Sequence, residues 1–266
     1  AVRWRVPGWT DAAGTPLSDE ASDRVRSAIR PPQTPAGVAG SMPNVVANRI
    51  NAQLGITGPG FTVSAEELSG TAALDVAADW LRRGATDAAI VGAVDLSHEA
   101  VHRSALHDLG IDAPPGDVAV VLVLKRLDDA RRAGDTVLAL VGGRSTEGGR
   151  ERGDDDVLLI GDDDGSARRS SWDPVSRFGR SHAAHGLLAV ATAVLASRHR
   201  AEPRDGTTAA PSLDSAPVDV AVRAVGGETA RVRIAPAEAQ PFLAEEAPTL
   251  HVFAGESTRD LIDALG

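Results

Sequence analysis

The apolar residues of this chain follow two different spacings. Residues 87–94 and 117–125 are nearly continuous apolar runs, a pattern typical of strands in a sheet that is buried on both faces. In residues 71–83 the apolar positions instead recur with helical spacing, and Gly84 follows as a natural helix stop. This alternation of strand and helix patterns predicts an α/β fold.

The same spacing rules predict the other elements. We expect helices over residues 18–29, 44–54, 127–133 and 183–199, the last of them central and buried. We expect strands over residues 61–64, 136–141, 218–225 and 229–235, and one more strand and helix at 250–254 and 258–265. Ser18 is a suitable N-cap, and Gly226 with Gly227 indicates a hairpin. The polar segments 142–171 and 200–216 are predicted to be surface linkers.

Composition narrows the function classes. The chain has 266 residues, no cysteine, no tyrosine and a net charge of −10. Without cysteine there can be no disulfide, thiolate metal site or thiol nucleophile. The negative charge and the scarcity of aromatic residues argue against a nucleic-acid partner, which requires basic patches and stacking surfaces.

The sequence also lacks the patterns of export and membrane insertion. The N-terminal residues have no apolar signal-peptide core, and the longest apolar run, roughly 183–196, is shorter than the ~20 residues that cross a bilayer. We therefore expect a cytoplasmic protein without a membrane partner. Because the chain starts without methionine, we expect it to be a fragment, truncated at its N-terminus.

One motif carries the strongest functional signal. Residues 55–70 read GITGPGFTVSAEELSG. This segment resembles the strand and turn of the β-ketoacyl synthases, the condensing enzymes of fatty-acid and polyketide assembly, that deliver the nucleophilic cysteine. In that frame Glu67 stands at the position of the cysteine.

Two further blocks are similar to the same family and follow in the same order. Residues 88–95 read AAIVGAVD, and residues 119–142 read AVVLVLKRLDDARRAGDTVLALVG. The resemblance covers residues 43–143. It implies a thiolase-like layered fold, in which mixed sheets enclose buried helices.

The second half resembles the family in one block. Residues 178–188, FGRSHAAHGLL, are similar to the family's segment before its long C-terminal helix. The alignment places Arg180 at a catalytic histidine and Val175 at the family's lysine. The family's other active histidine has no counterpart, so the resemblance implies a shortened second half, no catalytic residue and no cofactor.

These observations divide the chain into five predicted segments. They are an N-terminal extension at 1–42, a ketosynthase-like N-terminal half at 43–143, a linker at 144–171, a shortened C-terminal half at 172–254, and the start of a following linker at 255–266.

The resemblance implies a non-catalytic role. It points to a chain-length-factor-like domain of a polyketide or polyunsaturated fatty-acid synthase, which pairs with an active ketosynthase as a hetero- or homodimer. Such a domain shapes the acyl tunnel and meets acyl carrier protein indirectly. In the family, the strand before the nucleophile pairs across the dimer axis, so the expected interface residues are Phe61, Thr62, Val63 and Ser64.

Other functions stay open at this stage. Arg180 could serve a residual malonyl-thioester decarboxylase, and the domain could also be purely structural. Glu67 could tune a partner's pocket or form an interface ion pair. It could equally be a drifted residue held by helix N-terminal amides.

The histidines offer a further set of candidates. His98, Glu99 and His102 fit the H-E-x-x-H zinc pattern, so a zinc hydrolase is a second enzymatic alternative; a polar surface turn is the simpler interpretation. His182 and His185 have helical i,i+3 spacing, which suits packing or capping as well as a site.

Overall fold

The computed structural model describes residues 8, 10–29, 34–98, 100–142, 158–162, 170–203, 210–211 and 216–237. The strand and helix predicted over 250–265, and the linker predicted from 255, lie outside these residues. The chain divides into two compact units, Ala1–Thr62 and Val63–Gly266. The boundary between the two units therefore lies after Thr62, beyond the predicted end of the N-terminal extension at residue 42.

The described part of the first unit includes the helices α1 (Asp19–Ile29), α2 (Pro35–Gly40) and α3 (Asn44–Leu54). The predicted cap of α1 is confirmed, because the Ala21 N–H donates to the Ser18 Oγ at 3.3 Å. The predicted bounds of α3 are also confirmed, and Gly55 ends this helix with a φ of 65°, a conformation that glycine adopts without strain.

The strand predicted at residues 61–64 is not formed within this chain. A strand is defined by hydrogen bonds to a neighbouring strand, and no described strand of the chain pairs with these residues. Phe61, at the start of the segment, is 45% exposed.

The second unit begins with a short 3-10 helix (Glu66–Leu68) and continues through helices and strands in alternation. The helices are α4 (Ser69–Arg82), α5 (Ala100–Asp108), α6 (Leu127–Ala133), α7 (Val175–Phe178) and α8 (His182–His199). The strands are β1 (Ala88–Leu96), β2 (Asp117–Lys125), β3 (Ala139–Val141), β4 (Leu158–Gly161), β5 (Ser170–Trp172), β6 (Ala201–Glu202), β7 (Ala210–Pro211), β8 (Val218–Arg223) and β9 (Thr229–Pro236).

The described strands form one mixed sheet and two small antiparallel pairs. The five-stranded sheet has the order β3-β9-β8-β4-β5. In it, β4 is parallel to both β5 and β8, whereas β9 is antiparallel to β8 and β3. Strands β1 and β2 pair along their whole length, from Ala88 opposite Lys125 to Leu96 opposite Asp117. Strands β6 and β7 form the third pair.

Helix α8 joins the two halves of this unit into one core. It packs against β1 and β2 on one side and against β8 and β9 on the other. Leu187, Ala189 and Val190 are fully buried, as expected of a helix that is apolar on all sides. The prediction of a central, buried helix is therefore confirmed, and the predicted N- and C-terminal halves share one core.

The segment predicted as a linker at 144–171 contains part of this core. Strand β4 lies inside the five-stranded sheet, and Leu159 and Ile160 are 1% and 0% exposed. The linker prediction is wrong here because a brief apolar run between Gly- and Asp-rich stretches carries little periodic signal. The predicted linker at 200–216 likewise includes the β6–β7 pair.

The prediction that β1 and β2 are buried on both faces is also wrong for the described chain. Side chains alternate between the faces of a strand, and α4 and α8 cover one face. The opposite face carries large apolar side chains that are 46–75% exposed: Ile90, Val94, Leu96, Val121 and Val123.

Within the described ranges, no helix is both long enough and apolar enough to cross a bilayer.

Candidate functional site

A buried ion pair connects Glu67 and Arg180, the two residues that the resemblance aligns with catalytic positions. Glu67 lies in the 3-10 helix before α4, and Arg180 lies two residues before α8. The Arg180 Nη2 donates to the Glu67 Oε1 at 2.8 Å across 113 residues of sequence. The side chains of Glu67 and Arg180 are 2% and 18% exposed, respectively.

Two further groups surround the Glu67 carboxylate. The Val225 N–H, in the turn after β8, donates to the Glu67 Oε2 at 3.3 Å. The His182 Nδ1 lies 3.5 Å from the Glu67 Oε1, and the other ring nitrogen of His182 lies 3.3 Å from the Glu66 Oε2. The carboxylate is thus held by the Arg180 cation, by a local amide, that of Glu67 itself, and by the distant Val225 amide.

The electrostatics of the site favour an ionised carboxylate. Burial raises the pKa of Glu67, but the hydrogen bonds from Arg180, from its own backbone and from Val225, together with the charge of His182, outweigh burial. The pKa of Glu67 therefore lies below its ordinary value.

A neighbouring loop fixes the backbone of Arg180. The Arg180 N–H donates to the Pro114 carbonyl at 2.7 Å, and the Gly116 N–H donates to the Arg180 carbonyl at 2.9 Å. Gly179, just before Arg180, has φ 73° and ψ 173°, a region of backbone space that is nearly restricted to glycine. The loop that follows α5 therefore positions Arg180 so that its side chain reaches the 3-10 helix.

Backbone strain lies on both sides of the ion pair. Glu66 and His182 have positive φ values of 51° and 30°, which are uncommon for residues other than glycine. Such strain persists where the surrounding packing determines the conformation. Here it falls on the residue before Glu67 and on the second residue after Arg180.

A second buried polar group lies one helical turn further along α8. The His185 side chain is 5% exposed, and its Nε2 lies 4.0 Å from the Asp162 Oδ2. Burial lowers the pKa of His185, although the carboxylates of Asp162 and Asp173 oppose the shift. Burial also raises the pKa of Asp173, whose Oδ1 accepts the Val175 N–H at 2.9 Å.

Sequence reasoning missed part of this environment. It named His185 but not Asp162 or Asp173 as its neighbours, and it did not identify Val225. The Asp173-Pro174 step before a short helix signals an N-cap. No local pattern identifies a backbone amide as a ligand of a carboxylate more than 150 residues away.

The zinc candidates are not brought together. His98 pairs with Asp117 at 2.9 Å, whereas His102 lies inside helix α5, with its ring centroid 5.0 Å from that of His182. The surface-turn interpretation is therefore wrong for His102, and Glu99 lies outside the described residues. Among the residues that the structure describes, no cluster of three or more His, Asp or Glu side chains could hold a metal ion.

The arrangement has a clear chemical consequence. A buried carboxylate in an ion pair lacks the nucleophilicity of a thiolate, which acyl transfer through a thioester requires. Arg180 carries a permanent charge and cannot exchange protons as an imidazole does. Val175, at the family's lysine position, adds no charge.

Acid should remove the stabilisation that ionised Glu67 provides. Because the folded-state pKa lies below the ordinary value of 4.5, this contribution is complete above pH 4.5 and is lost as the pH falls through the folded-state pKa. In urea titrations between pH 7 and pH 3, we expect the stability gap between wild type and Glu67→Gln to narrow in the acidic range. Glu66→Gln is the control. Because the Glu66 side chain is 75% exposed, the stability of this variant should differ little from that of the wild type at every pH. A gap for Glu67→Gln that did not narrow would contradict this account.

Part of this chain is similar in sequence to known proteins. Residues 12–130 match the model of the β-ketoacyl synthase N-terminal domain. A highly reducing polyketide synthase from a Nectria species is 34% identical over 125 residues, which are 41% of this chain and 5% of that protein. A mycocerosic acid synthase-like polyketide synthase of Mycolicibacterium smegmatis is 33% identical over 127 residues, which are 42% of this chain and 6% of that protein. The chain thus spans a small fraction of the length of these relatives.

Solved structures extend the likeness beyond the matched sequence. A mutant ketosynthase from module 6 of the bacillaene synthase of Bacillus subtilis has a TM-score of 0.61 and 18% identity; the likeness covers 77% of this chain and 51% of that one. A type II polyketide synthase ketosynthase, solved with its acyl-carrier protein and a hexaketide, has a TM-score of 0.62 and 13% identity over 79% of this chain and 70% of that one. At these identities the structures establish the fold alone. The chain has the α/β, thiolase-like fold of the ketosynthases, and its residues 12–130 are similar to the N-terminal domain of the β-ketoacyl synthases.

Proposed function

We propose that this chain is a non-catalytic, chain-length-factor-like domain of a polyketide or polyunsaturated fatty-acid synthase. In this role it pairs with an active ketosynthase and helps to shape the tunnel that receives the acyl chain. Acyl carrier protein meets the pair through the active partner.

The Glu67–Arg180 ion pair is the observation that carries the proposal. The two residues stand, by resemblance, at the nucleophile and at a catalytic histidine, and they neutralise each other at 2.8 Å. By this resemblance, the nucleophile position carries no thiol, and the position of the catalytic histidine carries a guanidinium, which keeps its proton. A domain with this site would therefore contribute by binding a partner and not by catalysis.

The segment Phe61–Ser64 is the proposed interface with the partner ketosynthase. Phe61, Thr62 and Ser64 are exposed, and the backbone of the segment belongs to none of the described strands. A partner strand could add to it by β-augmentation, in which main-chain hydrogen bonds supply affinity and exposed side chains supply specificity. An exposed aromatic residue such as Phe61 suits the centre of such an interface.

Mixing this chain with the ketosynthase encoded beside it, or in the same polypeptide, tests the proposal. We expect a 1:1 complex in size-exclusion chromatography, and a condensation product that is restored or lengthened when the chain is present. Phe61→Glu should abolish the complex, whereas Leu109→Glu, which alters a side chain that is 63% exposed elsewhere, should leave it intact. If the chain stays alone and condensation is unchanged, the proposed role is wrong.

The enzymatic alternatives have different readouts. A residual decarboxylase needs Arg180 available for the malonyl carboxylate, but Arg180 is paired with Glu67. Carbon dioxide release from a malonyl thioester by the isolated chain would support that alternative. A zinc hydrolase would need bound zinc, which metal analysis of the purified chain measures directly.

A further inference from the structure

We propose that the groups around Glu67 form a carboxylate-binding site, and that the Glu67 side chain is its tethered occupant. The inference concerns this chain by itself, so it holds whether or not the chain pairs with a ketosynthase. The expected external ligand is a small monocarboxylate such as acetate.

The first argument is that the two carboxylate oxygens are recognised separately. The Arg180 guanidinium binds Oε1 at 2.8 Å, and the Val225 N–H approaches Oε2 at 3.3 Å. His182 adds a third polar group 3.5 Å from Oε1. These groups come from two parts of the chain that are both distant from Glu67, the segment 180–182 and the turn after β8, so the cradle is a product of the fold and not of the local helix.

The second argument is that Arg180 has a hydrogen-bond donor that the Glu67 side chain does not use. The Arg180 Nε is buried without a hydrogen-bond partner, whereas its Nη2 binds Glu67. A guanidinium can hold a carboxylate through two parallel hydrogen bonds. The tethered side chain makes one of these bonds, and a free carboxylate could turn to make both.

The third argument is one of size and concentration. Glu67→Ala removes a methylene carbon and a carboxyl group, which acetate replaces atom for atom. The Glu67 side chain is 2% exposed, so the vacated space is enclosed by protein. In the wild type the tethered carboxylate has an effective concentration of millimolar or more, which excludes an external carboxylate from the site.

Chemical rescue of Glu67→Ala tests this inference. We expect the melting temperature of the variant to lie below that of the wild type, and to rise by about 5 °C when acetate reaches roughly one hundred times its Kd. Sodium chloride at equal ionic strength should give no comparable rise. Glu66→Ala, which removes the adjacent, 75% exposed side chain, should show no acetate effect.

The double variant Glu67→Ala/Arg180→Met identifies the binding group. Acetate should lose its effect there, because the guanidinium supplies the main contact. An acetate response equal to that of chloride, or one that persists without Arg180, would overturn the inference. If Glu67→Ala does not accumulate as folded protein, the refolding yield in acetate against chloride replaces the melting temperature: an acetate-dependent yield supports the site, and equal yields refute it.

Discussion

Removing either partner of the Glu67–Arg180 pair should lower the free energy of unfolding by about 3–5 kcal/mol, because each single change leaves a buried charge without its counter-ion. We expect this loss for Glu67→Met and for Arg180→Met, two substitutions that roughly preserve side-chain length. The Glu67 side chain is 2% exposed and that of Arg180 is 18% exposed, so water can replace little of the lost interaction. Urea titration at pH 7 measures the effect.

The double variant distinguishes an ion pair from two independent packing contacts. In Glu67→Met/Arg180→Met no charge is left unpaired, so the loss should be far smaller than the sum of the two single losses. The exposed Asp79–Arg82 pair, with side chains 33% and 67% exposed, is the control and should cost at most about 1 kcal/mol when broken. If the loss in the double variant equalled the sum of the two single losses, the interaction between Glu67 and Arg180 would not be the source of the lost stability.

Gly179→Ala should be a strongly destabilising single-methyl change near the site. Gly179 has φ 73° and ψ 173°, and an added Cβ would lie 2.5 Å from the Pro115 carbonyl oxygen and 2.9 Å from the Gly116 nitrogen. Both neighbours are backbone atoms that cannot rotate away. Strain of about 1–3 kcal/mol from the conformation adds to about 1–3 kcal/mol from overpacking, which thermal or urea unfolding would detect.

Gly84→Ala provides the matched comparison for this effect. Gly84 also has a positive φ, of 70°, but an added Cβ meets no atom within 4 Å. We expect a loss of about 1–2 kcal/mol there, from the conformation alone. If both variants lost the same stability, the close approach of the Pro115–Gly116 segment to Gly179 would not be what constrains Arg180.

The local elements of this chain were predictable from residue spacing, and the resemblance singled out Glu67 and Arg180 as candidate site residues. Helix α3 and strand β2 have their predicted bounds, and the β8–β9 hairpin forms around Gly226 and Gly227. These features depend on a few neighbouring residues, whose backbone preferences and apolar period are visible in the sequence. Glu67 and Arg180 could be aligned with the family's cysteine and histidine because each lies inside a short motif.

The tertiary structure decided what these residues do to each other. Glu67 and Arg180 are 113 residues apart, and they meet because α8 packs between the β1–β2 pair and the five-stranded sheet. The same packing buries β4, which the local composition had indicated as linker, and leaves one face of β1 and β2 exposed. Sequence spacing records what a segment favours by itself, whereas burial and charge pairing depend on which distant segments the core brings together. For this protein, the sequence alone determined the fold class and singled out Glu67 and Arg180 as candidate site residues, and the tertiary structure alone determined that these two residues form one buried ion pair.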